Sequence, residues 1–263
     1  MSEPVKPRSD LAIRTVSGIA LIAVALAALW GGGIWLWLLI SLAAMLMLAE
    51  WGPLVQSDPR HTRLALYTAC IPLALLAPRP VAMGPSFFIA GLIVGASFFV
   101  TIVTRKPRLG FGIAYVAFPA LALVFLRQQD NGFWLTLWTL ALVWATDIGA
   151  YFAGRSIGGP KLAPKVSPNK TWAGLVGGVA SALVLGLLFW RFAGLGLQLA
   201  LASPILAVIA QIGDLYESWL KRQAGVKDSG TILPGHGGVL DRLDGLVPVA
   251  PAAAALILLD TLL

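Results

Sequence analysis

Charge is scarce in this sequence. Asp, Glu, Lys and Arg make up 12% of its 263 residues, where a water-soluble domain carries roughly 25%. With 58% hydrophobic residues and a mean hydropathy of +0.84, a soluble globular domain is excluded and the chain belongs in a membrane. Cysteine is nearly absent: Cys70 is the single one, inside an apolar run, so an intramolecular disulfide is excluded and the redox compartment stays unspecified. Histidine is reduced to His61 and His236, too few for a His-rich metal centre. Low-complexity tracts are missing apart from Ala/Leu-rich spans, and no strong internal repeat divides the chain. Acidic residues are outnumbered, 12 against 19 basic ones, for a net charge of +7. That excess suits anionic head groups or phosphorylated substrates at a membrane face, and equally the ordinary task of setting topology.

What is there is apolar length. A spanning helix needs about 20 mostly apolar residues, and nine stretches meet or approach that: Leu11 to Trp30, Ile34 to Trp51, Leu64 to Ala77, Ser86 to Thr104, Phe111 to Leu126, Phe133 to Ala153, Trp172 to Phe192, Leu197 to Trp219, and Leu246 to Leu263. The third and fifth are short. The expected fold is therefore all-α, a polytopic integral membrane protein with about nine transmembrane helices. Gly31-Gly32-Gly33 breaks the first run from the second, and a tight turn dipping into the bilayer is the alternative there. Trp30, Trp35, Trp51, Trp134, Trp172, Trp190 and Trp219 sit near proposed ends, where indole rings prefer the interface. Pro72, Pro119, Pro204 and Pro248 fall inside or near spans and predict kinks.

Counting Lys and Arg sets the orientation. If the spans alternate, one side holds Lys6, Arg8, Arg14, Arg60, Arg63, Arg105, Lys106, Arg108, Arg155, Lys161, Lys165, Lys170, Lys221, Arg222, Lys227 and Arg242, and the other only Arg79, Arg127 and Arg191. The basic side is expected in the cytoplasm, with the N-terminus inside and the C-terminus outside. The first span follows a basic segment and is Ala-rich, as a signal peptide would be. It is longer than a usual signal core, and its removal would spoil the alternation, so an uncleaved first span is expected.

Three polar groups interrupt this pattern. Asp147 lies inside an apolar span, with Tyr151 one turn later; an intramembrane carboxylate is costly and marks function by default, a structural ion pair or interhelical hydrogen bond being the plainer reading. Next comes Lys161-Leu-Ala-Pro-Lys165-Val-Ser167-Pro168-Asn169-Lys170-Thr171-Trp172-Ala-Gly174, followed by Gly177-Gly178. Ser167 is placed to cap a helix starting near Pro168, and a helix start carrying Lys170 and Thr171 is suited to hold a phosphate. A positive-inside loop with an ordinary cap explains the same residues, and the glycine pair equally serves close helix packing. The third is Gln211 to Gly245, with Asp214, Glu217, Lys221, Arg222, Lys227, Asp228, Asp241, Arg242 and Asp244 around Pro234-Gly235-His236-Gly237-Gly238. If the eighth helix runs on, Asp214, Glu217 and Lys221 share one face. Carboxylates there can hold a hard divalent cation, and Lys221 and Arg222 can engage anionic oxygens. The glycine-rich turn lets a large ligand approach the backbone. The plainer readings are a His236 bonded within its own turn, a solvated Lys227/Asp228 pair, and an Asp244 that caps a helix or neutralises Arg242. Asp214 and Asp241, each at the end of a strongly apolar run, resist such readings.

The segment Ser218-Trp-Leu-Lys221-Arg222-Gln-Ala-Gly-Val-Lys227-Asp228-Ser229-Gly230-Thr-Ile-Leu-Pro234-Gly235-His236-Gly237-Gly238-Val-Leu-Asp241-Arg242-Leu-Asp244 closely resembles the signature of the phosphatidate cytidylyltransferases, the CDP-diacylglycerol synthases. The likeness extends to Asp147-Ile-Gly-Ala-Tyr151-Phe-Ala-Gly154-Arg155 and Ser167-Pro168-Asn169-Lys170-Thr171-Trp172. It covers the C-terminal half with specificity and the N-terminal half only as hydrophobic helices. Asn169 stands where relatives usually have a second lysine, and Gly245 where serine is frequent. The resemblance implies a transmembrane helical region over residues 1-130 and a catalytic region over 131-263, with a cytoplasmic signature loop at 218-245.

It further implies that CTP and phosphatidic acid give CDP-diacylglycerol and pyrophosphate at the cytoplasmic face of the inner membrane, with Mg²⁺ as cofactor and room for a second cation. Asp214 and Asp241 are the expected metal ligands, with Asp244, Glu217 and Asp147 as lesser ones. Lys221 and Asp244 join them as catalytic candidates. Lys170, Ser167, Asn169, Thr171, Arg222, Lys227, His236 and Arg242 are expected around the substrate phosphates. The partners are CTP, phosphatidic acid and membrane phospholipids, without nucleic acid, and the resemblance suggests a homodimer. A cation-coupled transporter, which also places carboxylates in broken helices, and a CTP-dependent lipid kinase remain as alternatives.

Overall fold

The computed structural model of the protein describes residues 8–233 and 237–262, with side chains from residue 16 to 259 within those ranges. In hydrocarbon the backbone amides find no water, so each apolar run closes its hydrogen bonds as a helix. In chain order the elements are α1 (Arg8–Gly31), α2 (Gly33–Leu54), α3 (Pro59–Leu75), α4 (Phe87–Thr104), α5 (Pro107–Arg127), α6 (Gly132–Ser156), β1 (Lys161–Ala163), β2 (Ser167–Thr171), α7 (Trp172–Ala193), α8 (Leu197–Gln223), α9 (Leu240–Leu243) and α10 (Leu246–Leu262). Each of the nine expected spans coincides with one long helix. Among the described residues, α2, α4, α5, α6, α7 and α8 are long and apolar enough to cross a membrane, and Val16–Gly31 and Leu246–Leu259 are shorter apolar segments. The protein is an all-α polytopic membrane protein.

Local chemistry explains where the helices begin. The third starts at Pro59 rather than Leu64, because Asp58 accepts from the Arg60 N–H at 2.7 Å and Pro59 suits a first turn. Its opening Pro59-Arg60-His61-Thr62-Arg63 leaves it too polar to qualify as a span by composition. Ser86 caps α4 through the Ile89 N–H. Between α1 and α2 the chain turns at Gly32 (φ +56), where a Cβ would lie 2.7 Å from Arg127 Nη2, so the glycine break is a tight interhelical turn.

The helices run up and down. At one end Lys106 Nζ donates to the Gln56 carbonyl (3.0 Å) and Arg108 Nη1 to Gln223 Oε1 (3.2 Å), joining the end of α2, the start of α5 and the end of α8. At the other, Arg127 Nε donates to the Leu29 carbonyl (3.3 Å) and Asn131 Nδ2 to that of Ala193 (3.1 Å). The first group belongs to the lysine- and arginine-rich segments, the second to the poor ones, as the alternation requires.

α5 is the central helix: 67% of its most apolar window is buried, against 22% for α4 and α7, whose outer faces are left for lipid. It packs on α2, α3, α4, α6 and α10. One apolar core runs from Leu29 to Ile257 without interruption. α6 and α7 approach closely through small residues; a Cβ on Gly178 would lie 2.8 Å from the Thr146 carbonyl, and one on Gly177 would overlap Ala153. The Gly177-Gly178 pair thus serves helix packing.

One expectation is corrected. Ser167 does not cap a helix at Pro168, because residues Ser167–Thr171 form a strand paired antiparallel to β1. The helix begins at Trp172, and the cap is Thr171, whose hydroxyl accepts from the Gly174 N–H at 3.0 Å. With the hairpin holding this chain extended, the first residue free to turn into helix lies beyond Thr171.

Candidate active site

Helix α7 starts where β2 ends, so Lys170 and Thr171 project from the junction toward α6 and α8. Between these elements lies a polar cavity of about 610 Å³, lined by Asp147, Tyr151 and Arg155 of α6, Asn169, Lys170 and Thr171 of β2, and Gln211 and Asp214 of α8, among others. Lys170 Nζ pairs with Asp214 Oδ2 at 2.6 Å and donates to Gln211 Oε1 at 2.9 Å. The other Asp214 oxygen accepts from Ser218 at 3.3 Å. Asp147 lies within electrostatic range of Asp214, Asp244, Lys170 and Arg242. The cavity therefore unites the carboxylate inside the sixth span with the Lys170 segment and the first acid of the Gln211 to Gly245 stretch. At its rim Arg155 Nη1 donates to Tyr151 Oη at 2.8 Å.

Behind Asp214 a seam of alternating charge continues. α8 runs on to Gln223, as the expected face requires, and Glu217, wholly buried at 0% exposure, lies 3.5 Å from Lys221 Nζ. Lys221 in turn pairs with Asp241 Oδ1 at 2.6 Å. Asp241 Oδ2 accepts the N–H groups of Ser229 and Gly238, each at 2.8 Å, and lies 2.9 Å from the Ser229 hydroxyl. Burial alone would raise the Asp241 pKa; the Lys221 ammonium and the Gly238 and Ser229 N–H groups outweigh it and hold the carboxyl below its ordinary range. Asp244 sits against Glu217 and accepts from the Gly245 N–H at 2.7 Å. Burial pushes it up to about 6, the Asp214 charge adding to the effect. Gly213 makes this approach feasible, since a Cβ there would lie 2.5 Å from the Asp244 carbonyl and 2.7 Å from Pro248 Cγ.

The expected site residues thus fall into two adjoining groups. Asp147, Asn169, Lys170, Thr171 and Asp214 line the cavity; Glu217, Lys221, Asp241 and Asp244 form the seam beside it. Arg222 donates to the Val226 carbonyl at 3.3 Å and Lys227 is exposed on the loop, neither lining the cavity. Ser167 is half-buried in β2. His236 lies outside the described residues.

Cation binding can be judged from the donors. Among the described residues, no three His, Cys, Asp or Glu side chains already surround a common point; the carboxylates of Asp214 and Asp241 are turned to lysines. Yet neither oxygen of the buried Glu217 accepts a hydrogen bond, and the Asp244 carboxyl lies against it. Two acids in that position repel unless a proton or cation intervenes. Hard oxygen donors of this kind suit Mg²⁺.

One residue escaped the sequence reading. Glu50, near the end of α2 and only 5% exposed, accepts from the N–H groups of Val239 and Leu240, each at 2.9 Å, with the Ser229 hydroxyl 3.0 Å away. Its signal was present, a lone acid closing the apolar run LAAMLMLAEW, by the same rule that singles out Asp147.

Comparison with known proteins identifies relatives along the length of the chain. A protein of Brucella suis biovar 1 named phosphatidate cytidylyltransferase is 40% identical over 262 residues, covering 95% of this chain and 93% of the relative. Proteins of the same name from Rickettsia felis and Haemophilus influenzae are 35% identical over 207 residues (74% of this chain, 91% of the relative) and 48% identical over 134 residues (48% and 46%). The model of the cytidylyltransferase family matches residues 12–260, nearly the whole membrane bundle and both halves of the site, and the chain belongs to that family.

Proposed function

We propose that this protein transfers the cytidylyl group of CTP to phosphatidic acid, giving CDP-diacylglycerol and pyrophosphate. The observation that carries the reading is the polar cavity between α6, β2 and α8, with its Lys170–Asp214 pair at 2.6 Å, inside a chain whose relatives bear that activity's name. The basic end of the bundle faces the cytoplasm, so CTP arrives from water while the lipid arrives laterally between helices.

An oxygen of the lipid phosphate forms a bond to the α-phosphorus of CTP as the bond from that phosphorus to the β-phosphate breaks, and pyrophosphate leaves with the electron pair. No proton has to move, since a phosphate monoester with a second pKa of about 6 is largely ionised near neutrality. The protein's task is to align two polyanions that repel each other. Lys170 would exchange Asp214 for a substrate phosphate, with Asn169 and Thr171 beside it. Ser167, Arg222, Lys227, His236 and Arg242 are assigned to the approach of the anions, and Lys221 to the orientation of Asp241. Mg²⁺, when bound, would neutralise charge on the phosphates; Asp214 and Asp241 are its proposed holders, with Asp244, Glu217 and Asp147 around them and a second cation compatible with so many acids.

Detergent-solubilised protein supplied with Mg²⁺, phosphatidic acid and labelled CTP tests the reading. Label on the α-phosphate is expected in lipid. Label entering from the γ-phosphate would make the protein a lipid kinase, and entry of neither would return the site to ion transport.

A further inference from the structure

The catalytic loop is held from the opposite half of the chain. Glu50 is the one carboxylate of α2, and it lies 5% exposed against the loop that carries Asp241 and Asp244. Its Oε1 accepts the Val239 N–H and its Oε2 the Leu240 N–H, both at 2.9 Å. Ser229, at the far side of the loop, places its hydroxyl 3.0 Å from Glu50 Oε2 and 2.9 Å from Asp241 Oδ2. A hydroxyl has a single proton, so Ser229 bridges the two carboxylates, serving one while touching the other. Loop glycines make room for this arrangement. A Cβ on Gly230 would lie 2.7 Å from Glu50 Oε1; one on Gly238 would lie 2.5 Å from Glu50 Oε2 and would overlap the Ser229 hydroxyl. Neither glycine has the positive φ that would explain it by backbone conformation; the Glu50 carboxylate at Gly230, and the Ser229 hydroxyl together with Glu50 at Gly238, leave no room for a side chain.

We infer that Glu50 is a positioning residue: it clamps Ser229, Val239 and Leu240 onto α2 and thereby sets the orientation of Asp241, and through the following turn of Asp244, relative to Asp214 and Lys221. The inference rests on the cytidylyl-transfer reading for the meaning of the site, but the clamp is a physical contact that can be observed without it. Removing one acceptor leaves a buried N–H donor unpaired, at the full desolvation cost of that group. Glu50→Gln keeps the shape and surrenders one acceptor oxygen to an NH₂ that faces an N–H donor. Glu50→Asp keeps the charge but withdraws it by one methylene. Gly238→Ala leaves α2 intact and crowds both the Ser229 hydroxyl and Glu50 Oε2 from the loop side.

The test measures kcat, the KM for CTP and amide hydrogen exchange of the loop in each purified variant. Glu50→Gln is expected to lower kcat about tenfold or more while leaving KM for CTP within about twofold, and to speed exchange at Val239 and Leu240 with the remaining helices still protected. Glu50→Asp should recover part of both. Gly238→Ala should reproduce the Glu50→Gln pattern, and it carries the test if the α2 variants fail to accumulate. Unchanged kcat per folded molecule in Gly238→Ala, or a lost kcat without faster loop exchange, would overturn the inference. If the wild-type protein moved no cytidylyl group, the functional reading would fall, and loop exchange in the same variants would still decide whether Glu50 is the clamp.

Discussion

At the scale of single residues, the site is governed by how carboxylates are kept apart or compensated. Asp214 is held by Lys170, Asp241 by Lys221 and the loop N–H groups, while Glu217 and Asp244 meet side chain to side chain, close enough for one proton between them to serve both. Asp214→Asn is expected to bring cytidylyl transfer to background in protein that still purifies as a folded species; full activity with Mg²⁺ would reject its proposed role. Lys170→Ala should raise the KM for CTP or for lipid roughly tenfold, since a charged hydrogen bond of about 1.5 kcal/mol corresponds to that factor. Asp244 makes a separate prediction about pH. Its folded pKa, raised to about 6 by burial and by Asp214, stands above the unfolded value of about 3.9, so the native state binds the proton more tightly. Its contribution to stability is present below the unfolded pKa and is lost as pH rises through about 6. Thermal unfolding in detergent and a chelator should therefore show a stability loss between about pH 4 and 6 that Asp244→Asn removes. An identical pH profile in the variant would contradict this.

At the scale of elements, the junction of β2 and α7 decides the cavity's shape. The Thr171 hydroxyl satisfies the Gly174 N–H while the neighbouring Lys170 reaches Asp214, so the cap and the functional side chain share one backbone geometry. Thr171→Val should cost about 1 kcal/mol of stability, seen as a lower unfolding temperature, and should raise the KM for CTP because Lys170 loses its fixed base. A variant that lost stability with an unchanged KM would separate the two roles. The sequence singles out this segment but places its cap at Ser167, where the structure has Thr171. Proline at 168 fits a first helical turn and fits an edge of a short hairpin equally well, and only pairing with Lys161 to Ala163, remote from the helix itself, distinguishes them.

At the scale of the whole molecule, the two ends of the bundle differ in charge, and the site lies toward the basic one. The proposed orientation can be checked with Cys70, the single native cysteine, replaced by alanine. A Gln56→Cys label site should then react with an impermeant thiol reagent only from the cytoplasmic side, and Gln129→Cys only from the other; the reverse pattern would invert the topology. Much of the architecture was legible beforehand. Hydrocarbon length, the grouping of lysine and arginine and the cost of an acid in a greasy run are properties of short segments, so the sequence alone determined where the apolar helices lie and singled out Asp147, Asp214 and Asp241. Pairing is different in kind. Lys170 meets Asp214, Lys221 meets Asp241, and Glu50 meets a backbone N–H 189 residues away, and no local periodicity carries such information. Those contacts follow from close helix approach at residues such as Gly178 and Gly213, where the absence of a side chain lets two backbones meet. The tertiary structure alone therefore decided which carboxylates share the cavity and which one, from the N-terminal half, holds the loop.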